Sequence, residues 1–344
     1  MTDYLKMIQL EDRIRAFATV GKMIQRLDEN ERTYMCQRAK SENSWFTDEN
    51  IATALLGIQR YLDEDKLRRW TDGLPDQPSQ RKKVGVVMAG NIPLVGFHDF
   101  LSVVISGHQL LAKLSSKDSF LIKHIAGMLT DIEPRFKEQI EFRDKLNDAE
   151  AMIATGSDNS SRYFEYYFAK MPHIIRRNRS SVGVLDGTEN TNDLEALGYD
   201  VFQYFGLGCR NVSKLFVPAD YEFSPLLEAW QQFESINQYH KYNNNYDYNK
   251  SIYLVNKEPH YDSGFALLRK SEQLVSPISV VYYEKYDTPE VLQDRLAQFS
   301  DRIQCVVSRD AWVDGSLRFG KAQEPELWDY ADDVNTLEFL KLLA

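Results

Sequence analysis

At 344 residues the chain is long enough for two domains, each burying its own core. Its 43% hydrophobic and 27% charged residues are ordinary for a folded protein. A formal net charge of -10 excludes the broad basic face that nucleic acid requires and offers nothing to an anionic membrane surface.

From Thr2 to Trp70 apolar residues recur at helical spacing (Ile8, Leu10, Ile14, Phe17, then Ile51, Leu55, Ile58, Leu62), which predicts a helical N-terminal layer. Charges run throughout its first residues, unlike a secretory signal. Thr71 to Lys83, rich in Pro, Asp, Gln and Ser, is a connector. The pattern then changes to strand, turn, helix, strand. Val84 to Ala89 is a buried-strand run, Gly90-Asn91-Ile92-Pro93 a turn, Leu94 to Ser106 a helix and Gln109 to Lys113 a second strand. Asn91, Pro93, His98 and Asp99 interrupt this most apolar window, so no membrane span is expected. A helix over Ser119 to Leu129 and a strand over Ala149 to Ala154 follow, leading through Thr155-Gly156-Ser157 into an aromatic-rich helix, Asp158 to Met171. Core packing is the expectation for its Tyr163, Phe164, Tyr166, Tyr167 and Phe168.

A second α/β region begins near Ser181, with a strand over Val182 to Leu185 and a helix over Asp193 to Phe205. The turn Gly206-Leu207-Gly208-Cys209 and a strand over Lys214 to Val217 come next. Tyr239 to Lys250 reads as an ordered polar loop, with strands at Ser251 to Val255, Ile278 to Tyr283 and Ile303 to Val307 and a helix over Pro289 to Phe299. The expected division is 1–180, N-terminal helices plus a dinucleotide-binding domain; 181–315, a domain carrying Cys209; and 316–344, a segment packing back on the body.

Three cysteines without metal-ligand spacing fit a reducing cytoplasm, and the six histidines show no ligand spacing, so no metal is expected. Cys36 and Cys305 read as small hydrophobes. Cys209 differs, because flanking glycines let the backbone bend and expose the thiol. Arg210 and a short helical turn expected after it would favour the thiolate. Asn91, at the carboxyl end of a strand, reads equally as an amide donor to an oxyanion and as a cap of the following helix. Thr155-Gly156-Ser157 reads as a plain helix cap or as a seat for a pyrophosphate. His98 and Asp99 receive no role.

Taken in order, these turns resemble the aldehyde dehydrogenase superfamily. Asn91 matches its oxyanion asparagine, and Lys113-Leu114-Ser115-Ser116 its ribose-binding strand end. Thr155-Gly156-Ser157 matches its Thr-Gly-Ser turn, and Cys209 through Val217 its nucleophile segment. The longer stretches GNIPLVGFHDFL, KLSSKD, YFGLGCRNVSKLFVP and FGKAQEPELWDYADDV resemble the acyl-CoA reductase family typified by the fatty-acid reductase component (LuxC) of bacterial bioluminescence. The resemblance implies two Rossmann-like three-layer domains and a cytoplasmic enzyme that reduces a fatty acyl-CoA thioester to the aldehyde. Cys209 would be its nucleophile and Asn91 its oxyanion donor. Lys113, Ser115, Ser116, Lys117, Thr155, Gly156 and Ser157 would bind the cofactor. The superfamily's general-base Glu segment falls on Arg176 to Ser180, which holds no acid, and its ribose-binding Glu falls on Gln273. Ser116 with Lys117 in place of an acid favours the 2′-phosphate of NADPH. Superfamily members usually pair through an extra β-hairpin, so a homo-oligomer is implied, although no clear candidate for that hairpin is present. Two other readings are a cysteine acyltransferase or thioesterase without a redox step, and a non-catalytic acyl-binding scaffold.

Overall fold

The computed structural model describes residues 7–156 and 158–343. The chain divides into two compact units, one formed by Met1–Asn178 with Glu326–Ala344 and one by Arg179–Pro325.

The first unit opens with α1 (Leu10–Gln25), α2 (Glu29–Glu42), α3 (Asp48–Tyr61) and α4 (Glu64–Trp70). The stripe Ile14, Phe17, Val20 and Ile24 buries one face of α1. The second helix has an almost wholly polar, exposed sequence and starts at a capping box between Asp28 and Glu31. Beyond the connector come β1 (Lys83–Val87), α5 (Phe97–Ile105), β2 (Gln109–Lys113), α6 (Phe120–Ile132), β3 (Ile140–Phe142), β4 (Ala151–Thr155), α7 (Asp158–Phe168) and β5 (His173–Arg176). Among the described residues the strands form one parallel five-stranded sheet, ordered β3-β2-β1-β4-β5. Chain direction reverses between β1 and β4, which makes the crevice outside their carboxyl ends the place where such sheets bind ligands.

Arg176 and Asp99 form a buried ion pair, and Arg176 also donates to Thr336 Oγ1 at 2.9 Å. The pair ties β5 and α5 to the returning C-terminal segment, so Asp99 and the residue at the start of the expected general-base segment have a structural task. His98 accepts the same explanation. Its Nε2 lies 2.9 Å from the Leu327 carbonyl, and its ring packs against Tyr61, Trp70 and Tyr330. Core packing fails as an account of α7, because Tyr163, Tyr166 and Tyr167 are exposed while Phe164 and Phe168 stack on one another.

The second unit contains β6 (Ser180–Val184), α8 (Thr191–Phe202), β7 (Val212–Pro218), α9 (Ser224–Ala229), α10 (His240–Val255), β8 (Tyr261–Asp262), β9 (Leu267–Lys270), β10 (Val280–Tyr286), α11 (Pro289–Gln298), β11 (Ile303–Ser308) and β12 (Leu317–Arg318). A seven-stranded sheet runs β12-β11-β6-β7-β10-β9-β8, parallel except for the β8–β9 pair. The polar loop expected at 239–250 and the strand at 251–255 are instead one helix, α10. Asparagine is a weak helix former, but Tyr242, Tyr246, Asn249 and Tyr253 fall on one face and are buried, so packing overrides propensity. The last helix, α12 (Thr336–Leu342), belongs to the first unit, where Leu337 and Leu340 enter its core. Among the described residues no helix is long and apolar enough to cross a membrane.

Candidate active site

In the first unit, the sequence-predicted residues Asn91, Lys113, Ser115, Ser116, Lys117, Thr155 and Gly156 all collect at the carboxyl end of the sheet. Asn91 is exposed on the turn after β1. It does not cap the following helix, because α5 begins at Phe97 with Gly96 before it and has no side-chain cap. Lys113 ends β2, exposed, and its carbonyl accepts from Met88 N–H at 3.0 Å. Ser115 turns the chain, its Oγ accepting from Lys117 N–H at 3.2 Å and its carbonyl from Asp118 N–H at 3.2 Å. Ser116 and Lys117 are exposed beyond it. Glycine is required at position 90, because a Cβ there would stand 2.6 Å from Ser115 Oγ.

Thr155 closes β4. Gly156 N–H donates to the Arg176 carbonyl at 3.3 Å, and a Cβ on Gly156 would meet Ser160 Cβ at 2.8 Å and Phe164 Cε2 at 2.9 Å. This glycine therefore serves the close approach of α7 to β4. Ser157 lies outside the described residues. The set fits the phosphate and ribose groups of a dinucleotide. It offers an open switch point, two exposed ammonium groups, from Lys113 and Lys117, and three hydroxyls, from Ser115, Ser116 and Thr155.

In the second unit, Cys209 is exposed on a tight turn at the amino end of β7. Asn211 N–H donates to the Gly208 carbonyl at 3.1 Å to close that turn, and the strand begins at Val212, so the expected short helix after the cysteine is absent. No helix N-terminus acts on the thiol from that direction. Before it, Tyr204, Phe205 and Gly206 all take positive φ, a strained run held by the burial of both aromatic rings.

The turn is organised by Asn211, which sequence reasoning passed over. This buried side chain accepts from Gly208 N–H at 2.8 Å and donates to the Asp200 and Gln203 carbonyls at 3.1 and 2.8 Å. It fastens the cysteine turn to the end of α8. Ser181 Oγ donates to the Cys209 carbonyl at 3.1 Å and lies 3.1 Å from Cys305 Sγ. Burial pushes the Cys305 thiol up, although Arg210 and Ser181 oppose the shift, which disfavours its thiolate. Arg210 turns its guanidinium to the Ala322 carbonyl at 3.3 Å. The segment that supplies this carbonyl is gripped by Asp200, whose carboxylate accepts from Gly320 and Ala322 N–H at 2.6 and 2.9 Å. Burial raises Asp200 to about 7 against those two bonds.

Lys214, fully buried in β7, donates to the Ser271 and Gln273 carbonyls at 3.0 and 3.3 Å and pairs with Glu284. Burial lowers its pKa and Glu284 opposes this. The basic residue five places after the cysteine thus braces the loop bearing Gln273, which is itself exposed. Among the described residues no group of His, Cys, Asp and Glu is placed to hold a metal ion.

No protein-family model matches the chain, and no curated protein does. Solved structures do. The chain is similar to aldehyde dehydrogenase from Bacillus cereus in an NAD+ complex, at 12% identity over 88% of this chain and 72% of that one, with a TM-score of 0.62. It is similar to the NAD-dependent aldehyde dehydrogenase of Sinorhizobium meliloti at 9% identity over 90% and 72%, with a TM-score of 0.66. For the Mycobacterium tuberculosis aldehyde dehydrogenase complexed with NAD+ the figures are 11%, 88%, 73% and 0.60. At these identities the likeness establishes the fold: α/β, aldehyde dehydrogenase-like.

Proposed function

We propose that this protein reduces an acyl-CoA thioester to the aldehyde with NADPH, through a covalent acyl group on Cys209. The observation that carries the reading is the exposure of Cys209 on a turn locked by the buried Asn211. A core cysteine needs neither the exposure nor the strained backbone before it. The fold supports an oxidoreductase acting at the aldehyde level, and the NAD+ complexes among the similar proteins support a nicotinamide cofactor.

The Cys209 thiolate adds to the thioester carbonyl, forming the carbon–sulfur bond as the carbonyl π electrons move to oxygen. The Asn91 amide and the Cys209 backbone N–H hold the resulting oxyanion. Its collapse breaks the bond to CoA, which departs as a thiolate and needs no strong general acid. That accords with Arg176 to Ser180, which offers no carboxylate to activate water against the acyl-enzyme. Lys113, Ser115, Ser116 and Lys117 would bind the adenosine ribose and its 2′-phosphate, and the Thr155–Ser157 turn the pyrophosphate. NADPH, when bound, supplies the reducing equivalent that releases the acyl group as aldehyde.

Incubation with acyl-CoA in the absence of NADPH should give an acyl mass adduct that Cys209→Ala lacks. NADPH absorbance should then fall with acyl-CoAs of a preferred chain length. An adduct on Cys209→Ala sinks the assignment of the nucleophile. Acyl turnover with no change in NADPH absorbance would make the protein an acyltransferase or thioesterase instead, the reading that Gln273 favours.

A further inference from the structure

The turn that carries Asn91 is held from both ends by buried side chains distant in sequence. At its start the Gly90 carbonyl accepts from Asn43 Nδ2 at 3.0 Å. At its end Leu94 takes a left-handed φ of 59°, and its N–H donates to Asp118 Oδ2 at 2.7 Å. Asn43 and Asp118 are only 6% and 3% exposed. Each is fixed in turn. Asn43 is the residue after α2, with its N–H on the Ala39 carbonyl and its Oδ1 accepting from Trp45 N–H at 3.1 Å. Asp118 N–H is on Ser115, and the neighbouring Glu42 accepts from Ser119 N–H, Ser119 Oγ and Phe120 N–H at 2.7, 2.6 and 2.9 Å.

The end of α2 therefore meets the β1 turn through Asn43 and the start of α6 through Glu42. Between the two clamps only Asn91, Ile92 and Pro93 remain, with Asn91 outermost. A left-handed backbone is unfavourable for a non-glycine residue, so without the Asp118 acceptor this path would relax and carry Asn91 with it.

We propose that Asn43 and Asp118 are positioning residues that set the direction of the Asn91 amide. This makes the N-terminal helical layer part of the reaction machinery and not merely a cover for the sheet. The inference rests on the reading of Asn91 as oxyanion donor. Both side chains act through hydrogen bonds to the turn's backbone, Asn43 as donor and Asp118 as acceptor.

The test measures single-turnover acylation of Cys209 by acyl-CoA, with mass detection and thermal melts to verify folding. Asn43→Ala and Asp118→Ala should each slow acylation by on the order of 10-fold while the acyl-CoA KM stays within about twofold. Asp118→Asn, which keeps an oxygen acceptor for Leu94 N–H, should restore most of the rate. In an Asn91→Ala background neither alanine substitution should slow acylation further, because the amide they position is gone. Wild-type acylation in the folded alanine variants, or losses that persist undiminished in the Asn91→Ala background, overturns the proposal. Should Asp118→Ala fail to fold, Asn43→Ala, which removes a single bond to the turn, decides it. If Asn91→Ala alone acylates at the wild-type rate, the oxyanion reading itself fails, and that outcome is separable from the others.

Discussion

Asp118 shows how one buried carboxylate answers to two demands. Burial raises its pKa to about 7, the Leu94 N–H opposes the shift, and the Glu42 carboxylate adds to it. Its Oδ1 has no hydrogen-bond partner among the described residues. An acid whose folded pKa lies above its unfolded value binds a proton in the folded state that the unfolded chain has released. Its contribution to stability therefore declines as pH rises from about 4 to about 7 and is flat above that. Asp118→Asn removes this titration and keeps the acceptor for Leu94. The variant should match the parent near pH 4 and exceed it progressively up to pH 7, read as the difference in urea midpoint across a pH series. A constant difference across the series would mean that Asp118 does not titrate in this window. At this scale the candidate residues Cys209 and Asn91 are legible in the sequence through their glycine-bearing turns. It hid Asp118, Asn43 and Asn211, because a buried polar residue is recognisable only by the backbone groups that it satisfies.

Two helical glycines show how magnitudes decide between opposing effects. In a helix interior glycine is about 0.8–1 kcal/mol worse than alanine. Gly57 in α3 has open space where a Cβ would go, so Gly57→Ala should stabilise the protein by about 0.5–1 kcal/mol. Gly198 in α8 faces Phe233, whose Cε2 would stand 2.2 Å from the new Cβ. Overpacking of that kind costs typically about 1–3 kcal/mol, which exceeds the propensity gain, so Gly198→Ala should destabilise. Denaturant midpoints that move in the same direction for both would refute the packing argument. The elements with clear periods, α1, α3, β1, β2, β4, β7 and α11, were legible because local pattern and burial agree in them. In the Asn-rich segment before Val255 composition points to a loop, asparagine being a weak helix former, while the spacing of Tyr242, Tyr246 and Tyr253 describes the buried helix face. The short β3 and β5 carry too few residues for alternation to register.

Residues 326–344 join the first unit although they follow the second in the chain. They deliver Leu327, Leu337 and Leu340 to its core and supply the partners of Arg176, His98 and His108. Three buried leucines at about 1.5–3 kcal/mol each represent much of the roughly 5–15 kcal/mol that stabilises a typical domain. Truncation after Pro325 should therefore strip hydrogen-exchange protection from β1, β2 and β4 while peptides of β7 and β10 keep theirs. Equal loss in both units would show that the two do not stabilise themselves separately, and no loss in the first would show that the returning segment is dispensable to it. Alternation of strand and helix, the turn glycines and the identities of Cys209 and Asn91 were set by the chain alone, since these depend on residues within a few positions of one another. Which polar groups meet across 47 residues from Asn43 to Gly90, 24 from Asp118 to Leu94 or 77 from Arg176 to Asp99 was decided only by the tertiary structure. Such pairings follow from how faces pack, and no local pattern encodes them.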